Sequence, residues 1–156
     1  MDDIALTPLE QSDAPALMRF ETENRAWFEA WVPPRPEGYW QLDSLEAIIR
    51  DQVVGADAMF LIRPGPRIAG RLNLTDFAGG TAELGSRIGR DHCAQGIATR
   101  AVTLGPAAAR ALRLDAVEAR TKHDNPASAR VLEKTGFSAI TSDGDFRFFR
   151  QTLDTA

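Results

Sequence analysis

Residues 90 to 101, RDHCAQGIATRA, place one glycine inside a run of small residues where a helix opens. The first turn of a helix presents backbone amides that have no partner, and the aligned peptide dipoles add partial positive charge there. Small side chains at Gly96, Ala98 and Thr99 would let an oxygen-rich anion reach the main chain, so the turn has the chemistry to cradle a pyrophosphate. It is not a Walker loop, because no GK[ST] follows, and CAQGIA lacks the three spaced glycines of the dinucleotide fingerprint. On these residues alone, Gly96 reads equally well as a plain helix start. Metal chemistry has little support: His92 and Cys93 are adjacent, which denies them a shared face, and His123 is remote.

The 156 residues suit one domain, 1–156, with enough chain to bury a core without disulfides or a structural metal. With 44% hydrophobic and 26% charged residues the composition is that of an ordinary globular protein, which excludes collagen, coiled coil and disorder. A net charge of -4 speaks against nucleic acid as the main partner. The charge is unevenly placed: residues 1–78 carry 7 Lys and Arg against 13 Asp and Glu, and residues 79–156 carry 11 against 9, so a polyanionic ligand is expected in the second half. A single cysteine forbids an internal disulfide and makes a reducing, cytoplasmic compartment the default. MDDIALTPLE is acidic where a secretion signal would be basic, and no apolar run approaches the ~20 residues that span a bilayer, so no membrane role is expected.

The elements that must position the glycine turn follow from periodicity. A strand at IALTPL leads to a helix with Ser12 as its cap and Pro15 in its first turn, then to a short helical piece through NRAWFEAW and a Pro-rich loop, WVPPRPEGYW. DSLEAIIRDQVVG predicts a helix capped by Ser44 and ending at Gly55. MFLIR, RIAGRLNLTDF and TAELGSRIG predict three strands of an antiparallel meander, turning at PGP and AGG. Helix then runs from Gly96 to about Leu112, with Pro106 inside it where a kink is expected; strand AVEAR, helix NPASARVLEKTG and strands FSAIT and FRFFRQTL complete a mixed α+β chain.

Two of these stretches occur together. ELGSRIGRDHCAQGIATRAV, followed by EARTKHDNPASARVLEKTGF, resembles the two central motifs of the GNAT N-acetyltransferase family. FETENRAWFEAWVPPRP, GRLNLTDFAGGTAELG and the N-x-x-S-x-x-x-L-E-K-x-G-F ending are similar, more narrowly, to its ribosomal-protein-alanine N-acetyltransferase (Rim) group, and the likeness spans nearly the whole chain. It implies a mixed central sheet of six or seven strands, splayed between the fourth and fifth and flanked by about four helices. It also implies acetyl-coenzyme A as cofactor, no metal, an amine acceptor, and a monomer or homodimer.

The family's loop pattern, R/Q-x-x-G-x-G/A, places Cys93, Ala94, Gln95, Gly96, Ile97, Ala98 and Thr99 around the pyrophosphate, with Cys93 departing from the polar first residue. Cys93 also invites a covalent acetyl-cysteine, which would need an activating base and a lowered thiol pKa; an incidental cysteine is the plainer reading. Leu84, Gly85, Ser86, Arg87, Ile88 and Gly89 match the strand whose backbone pairs with the pantetheine arm, and Gly85 and Gly89 suit a bulged strand that a ligand approaches closely. Glu83 matches a general base and is otherwise a solvated strand carboxylate. Asn125, Ser128 and Arg130 would meet the coenzyme arm, Asn125 reading also as an N-cap and Ser128 as helix surface. Where many members carry a tyrosine that protonates the leaving thiolate this chain has Leu132, and Ser128 is the replacement candidate.

The acceptor side is expected from NRAWFEAWVPPRPEGYW and the last hairpin, SDGDFRFF, with Trp27, Trp31, Arg35 and Tyr39 as contacts; Trp27 and Trp31 share a helical face, so one should be core. Glu21, Glu23, Glu29 and Glu37 suit a cationic acceptor, or form a solvated face. Only a neutral amine attacks a thioester. An α-amine of pKa about 8 is roughly a tenth neutral at pH 7, and lysine near 10.4 under about a thousandth, which favours a protein or peptide N-terminus. A small amine (amino acid, polyamine or antibiotic) is the alternative, and a non-catalytic acyl-coenzyme A sensor, motivated by Cys93 and Leu132, is the third.

Overall fold

The computed structural model describes residues 4–30, 33–93 and 96–153. Seven strands, β1 (Ala5–Pro8), β2 (Ala58–Arg63), β3 (Gly70–Ala78), β4 (Thr81–Ile88), β5 (Ala116–Lys122), β6 (Ser138–Ser142) and β7 (Phe146–Thr152), form one sheet in the order β1-β2-β3-β4-β5-β7-β6. The helices are α1 (Ala14–Glu23), α2 (Arg25–Glu29), α3 (Leu42–Val54), α4 (Ile97–Ala111) and α5 (Pro126–Lys134). All strand pairs are antiparallel except β4 with β5, which α4 joins as a crossover.

Alternation along the strands separates two cores. On β2, Ile62 faces α4 and α5 with Leu72, Leu84, Val117 and Phe149, whereas its neighbour Leu61 faces α1 to α3 with Leu17, Phe28 and Ile49; all four named from the second group, like Ile62, are at most 6% exposed. The second core draws its strand residues from β2, and on the same face of β4 and β5 the side chains of Glu83, Glu118 and Arg120 are left partly or fully exposed. The site forms on that uncovered part.

The β3–β4 turn is the predicted AGG: Gly79 and Gly80 take φ of 56° and 82°, where only glycine is unstrained. The Gly80 carbonyl then accepts from the amides of Asp115 (2.7 Å) and Ala116 (3.3 Å), which fixes the start of β5 beside β4. Pairing runs Thr81↔Ala116, Ala82↔Val117, Glu83↔Glu118 and goes no further, although β4 continues to Ile88 and β5 to Lys122. The two strands part past Glu83, as the resemblance implied.

Several local expectations change. Ser12 does not cap a helix: it sits within a 3-10 turn, Gln11–Asp13, where Asp13 Oδ2 accepts from the Glu10 amide at 2.8 Å in a capping box. Ser44 is not a cap either, because α3 begins two residues earlier behind an extended Gln41, led in by a 3-10 turn at Glu37–Trp40. Helix α4 runs through Pro106 from Ile97 to Ala111. Beside it, Gly105 lies against β4: a Cβ there would stand 2.5 Å from Leu84 Cδ1, so glycine is what lets the helix rest on the strand.

Candidate active site

The parted strands open beside a cavity of about 280 Å³ lined by Asp76, Thr81, Ala82, Glu83, Glu118, Ala119, Arg120, Ile140, Thr141, Phe148 and Phe149. It is built from β3, β4, β5 and the arms of the β6–β7 hairpin, so the last hairpin does contribute, through its strands more than its tip. Glu83 stands in its wall with Oε1 at 2.9 Å from Arg120 Nε. Burial raises the Glu83 carboxyl above its ordinary value, and a hydrogen bond and negative charge from Asp76 raise it further, against the opposing pull of Arg120. A carboxylate so perturbed in a cleft is a better proton acceptor than a solvated one.

Asp76 and Arg120 are the partners that the sequence did not disclose. Asp76 reaches Glu83 because β3 is irregular between Thr75 and Ala78 and Asp76 takes a left-handed φ of 56°. Arg120 lies two residues past Glu118, the register partner of Glu83, and so projects from the same face. The irregularity is therefore on β3; β4 stays in register from Ile88 to Glu83, with Gly85 opposite Asn73, which corrects the expected bulge at Gly85 and Gly89.

Among the described residues nothing lies within 4 Å of where a Gly85 Cβ would stand, so they leave the surface over this residue open. Gly89 has a different reason: a Cβ there would come within 2.8 Å of Phe20 Cε1 and 3.3 Å of the Asn24 side chain, so the close approach is that of α1. Asn24 Oδ1 also accepts from the Arg90 amide at 2.8 Å, tying α1 to the turn that leads to α4.

That turn is Arg90–His92 in 3-10 form, followed by Cys93 and, at the head of α4, Gly96 with φ of 74° and, among the described residues, nothing within 4 Å of the position a Cβ would take. Ala94 and Gln95 lie outside the described residues. Ile97, Ala98 and Thr99 form the first turn of α4, and Ile97 is buried beneath it. An unobstructed left-handed glycine before the free amides of a 15-residue helix fits a diphosphate approaching the main chain. Cys93 Sγ points back to the carbonyls of Gly89 (3.4 Å) and Ile88 (3.8 Å), and burial pushes its thiol up. An activated thiolate needs the opposite shift, so the acetyl-cysteine reading loses its basis.

On α5, Asn125 Oδ1 accepts from the Ser128 amide at 3.2 Å and is the N-cap; Ser128 is half-buried, Arg130 is exposed, and Leu132 is buried in the core. Among the acceptor candidates, Trp27 donates its indole N–H to the Ile88 carbonyl at 3.2 Å and packs on the α1–α3 core, which anchors α2 to the end of β4. Trp31 lies outside the described residues. Arg35 and Tyr39 meet at 4.4 Å in a cation–π contact beside Glu21. Three of the four acidic residues expected to attract a cation are already engaged: Glu21 is 1% exposed and paired with Arg71 (3.1 Å), Arg35 (3.4 Å) and Arg87 (3.7 Å), while Glu29 and Glu37 both pair with Arg25; Glu23 is exposed on α1. Among the described residues, no group of three or more His, Cys, Asp or Glu comes together in a form that could hold a metal ion.

Residues 3–138 match the family model described as the acetyltransferase (GNAT) domain. The chain is 30% identical over 144 residues to a probable N-acetyltransferase of Bacillus subtilis, YjcK, covering 86% of this chain and 80% of that protein. Its fold superposes with a TM-score of 0.85 on RimL, a ribosomal alpha-N-protein acetyltransferase solved with coenzyme A, at 19% identity over 98% of this chain and 96% of the other. It superposes at 0.79 on a spermidine N-acetyltransferase from Vibrio cholerae solved with coenzyme A and spermine, at 17% identity over 96% and 95%.

Proposed function

Since the chain belongs to the acetyltransferase (GNAT) domain family, we propose that it moves the acetyl group of acetyl-coenzyme A to the α-amine of a protein or peptide N-terminus, by direct attack with both substrates bound. The observation that carries this reading is the parting of β4 from β5 past Glu83, with the Gly96 turn at one end of the opening and the raised Glu83 carboxyl at the other.

Acetyl-coenzyme A supplies the activated thioester. The amides of Gly96, Ile97, Ala98 and Thr99 would hold its diphosphate, and the free edge of β4 from Leu84 to Ile88 would pair with the pantetheine arm as a further strand. A β4 amide turned into the opening polarises the carbonyl under attack, and the shared site supplies proximity. Glu83 takes the proton from the acceptor ammonium, directly or through water, and Asp76 keeps its carboxyl basic enough to do so. Ser128, at the start of α5, would hydrogen-bond the departing sulfur, since Leu132 has no proton to give.

The alternative acceptor is a small amine, favoured by the carboxylates Glu83 and Glu118 that line the cavity. Release of free thiol with a panel of acceptors tests both. Turnover on alanine- or serine-starting peptides supports the N-terminal reading; turnover only on polyamines, amino acids or aminoglycosides overturns it. Coenzyme binding without turnover on any amine would mark a sensor.

A further inference from the structure

The face of β4 that carries Glu83 also carries Gly85 and Arg87, and the register partners of the last two on β3 are Asn73 and Arg71. Around Arg87 and Arg71 gather Arg35, Tyr39 and the buried carboxylate of Glu21, with Glu29, the partner of Arg25, on the same wall. Arg35, Arg71 and Arg87 thus share the Glu21 carboxylate, and because Glu29 is paired with Arg25, the cluster holds more positive than negative charge in a largely buried place. Arg87 records that excess: burial and the nearby charges of Arg35 and Arg71 lower its affinity for its own proton.

Two donors of the cluster, each in a residue 6% exposed, have no hydrogen-bond partner among the described residues: Tyr39 Oη and Arg71 Nε. Leaving such groups unanswered in a buried place is costly, and their common complement is an anion. The floor between the cluster and Glu83 is Gly85, with open space above it, and beside it Asn73, whose buried Oδ1 also lacks a partner.

Resting on the reading of this site as an N-terminal acetyltransferase, we propose that the Arg35, Arg71, Arg87 and Tyr39 cluster is an acceptor subsite for a carboxylate, and that the preferred acceptor carries an acidic side chain at its second or third residue. Glu83 and Arg87 are four residues apart on a strand, or about 13 Å at ~3.3 Å per residue. A hydrogen bond of about 3 Å at each end leaves roughly 7 Å between the attacking amine and the carboxylate, the span from an N-terminal nitrogen to an acidic side chain one or two residues on. The same charge excess disfavours a polyamine.

The test uses the full chain, acetyl-coenzyme A and matched acceptors that differ only by carboxylate against amide: Ala-Asp- against Ala-Asn- peptides, the corresponding Glu and Gln pair at the third residue, and 6-aminohexanoate against its amide. Charge-assisted hydrogen bonds to a carboxylate predict an advantage of about tenfold or more in kcat/KM for the acidic peptide, carried mainly by KM. Arg35→Gln should collapse that ratio toward one, and Arg35→Lys, which keeps the charge, should restore part of it. Arg35 is partly exposed and leaves the buried Glu21–Arg71 pair intact, so the variant should fold; Arg87→Gln is the second variant. Equal rates for acid and amide peptides, or a ratio unchanged in Arg35→Gln, would overturn the subsite while leaving N-terminal acetylation standing. If no peptide turns over, the N-terminal reading fails and the 6-aminohexanoate pair decides the subsite: preference for the acid sustains it, and equal rates, or faster turnover of spermidine, overturn it.

Discussion

Replacing Glu83 by Gln keeps the side-chain shape and removes only the basic oxygen. General-base assistance is worth about 10²–10⁴ in rate, and a carboxylate still 29% exposed and held by Arg120 belongs near the lower end, so kcat/KM at pH 7 should fall about a hundredfold. An α-amine of pKa about 8 is roughly a tenth neutral at pH 7 and almost wholly neutral at pH 9.5, so about tenfold of that deficit should return at the higher pH without any base. Stability should not fall with it. Burial raises the Glu83 carboxyl in the folded state, so its stabilising contribution is complete below the unfolded value, near 4.5, and is lost as pH rises through the folded one; at pH 7 the ionised group lends nothing by this route. The Arg120 pair is too exposed to reverse this. The assay is the pH profile of kcat/KM for both proteins, with melting temperature as control. A normal rate at pH 7 would remove Glu83 from the mechanism, and a deficit constant from pH 7 to 9.5 would mean that it does something other than take the amine's proton.

Asp76→Asn removes the charge that raises Glu83, so the acid limb of the pH profile should move to lower pH with little change in the plateau; an unmoved limb would break the Asp76–Glu83 link. Gly96→Ala puts a methyl on a backbone at φ of 74° that meets no neighbour among the described residues, so a thermal melt should show a loss of about 1 kcal/mol, and calorimetry coenzyme binding about fivefold weaker. Cys93, its thiol pushed up by burial, should react with iodoacetamide at pH 7 more slowly than free cysteine, and Cys93→Ala should retain most activity; rapid labelling together with loss of turnover would revive the covalent route.

Strand and helix positions were legible because local signals agreed: the AGG turn adopts the backbone that its glycines allow, and the alternating TAELGSRI forms a strand with Ala82 and Leu84 inward. Serine caps misled because a 3-10 lead-in moves the helix start, and no periodicity marks such a lead-in. Glu83 stood out by its place in a motif, but its two modulators did not. Asp76 depends on an irregularity in a neighbouring strand and Arg120 on the register of a parallel pair, both settled by packing between segments distant in sequence. The arginines around Glu21 were invisible for the same reason, since a count of acidic residues in the first half points to a cation until Arg71 and Arg87 are brought across from the sheet.

The wedge between β4 and β5 leaves main-chain groups unanswered in the middle of the sheet, whereas the outer rims belong to β1 and β6. An outer rim invites another molecule to dock sideways; an inner gap, closed at one end by three rungs of pairing, admits only something slender. Between turnovers, water must hydrate those groups. Deuterium uptake at the alternate residues within 84–88 whose amides face the gap and not β3 should therefore be fast in the empty protein and slow once the coenzyme arm completes the sheet, making the ligand part of the architecture as well as of the reaction.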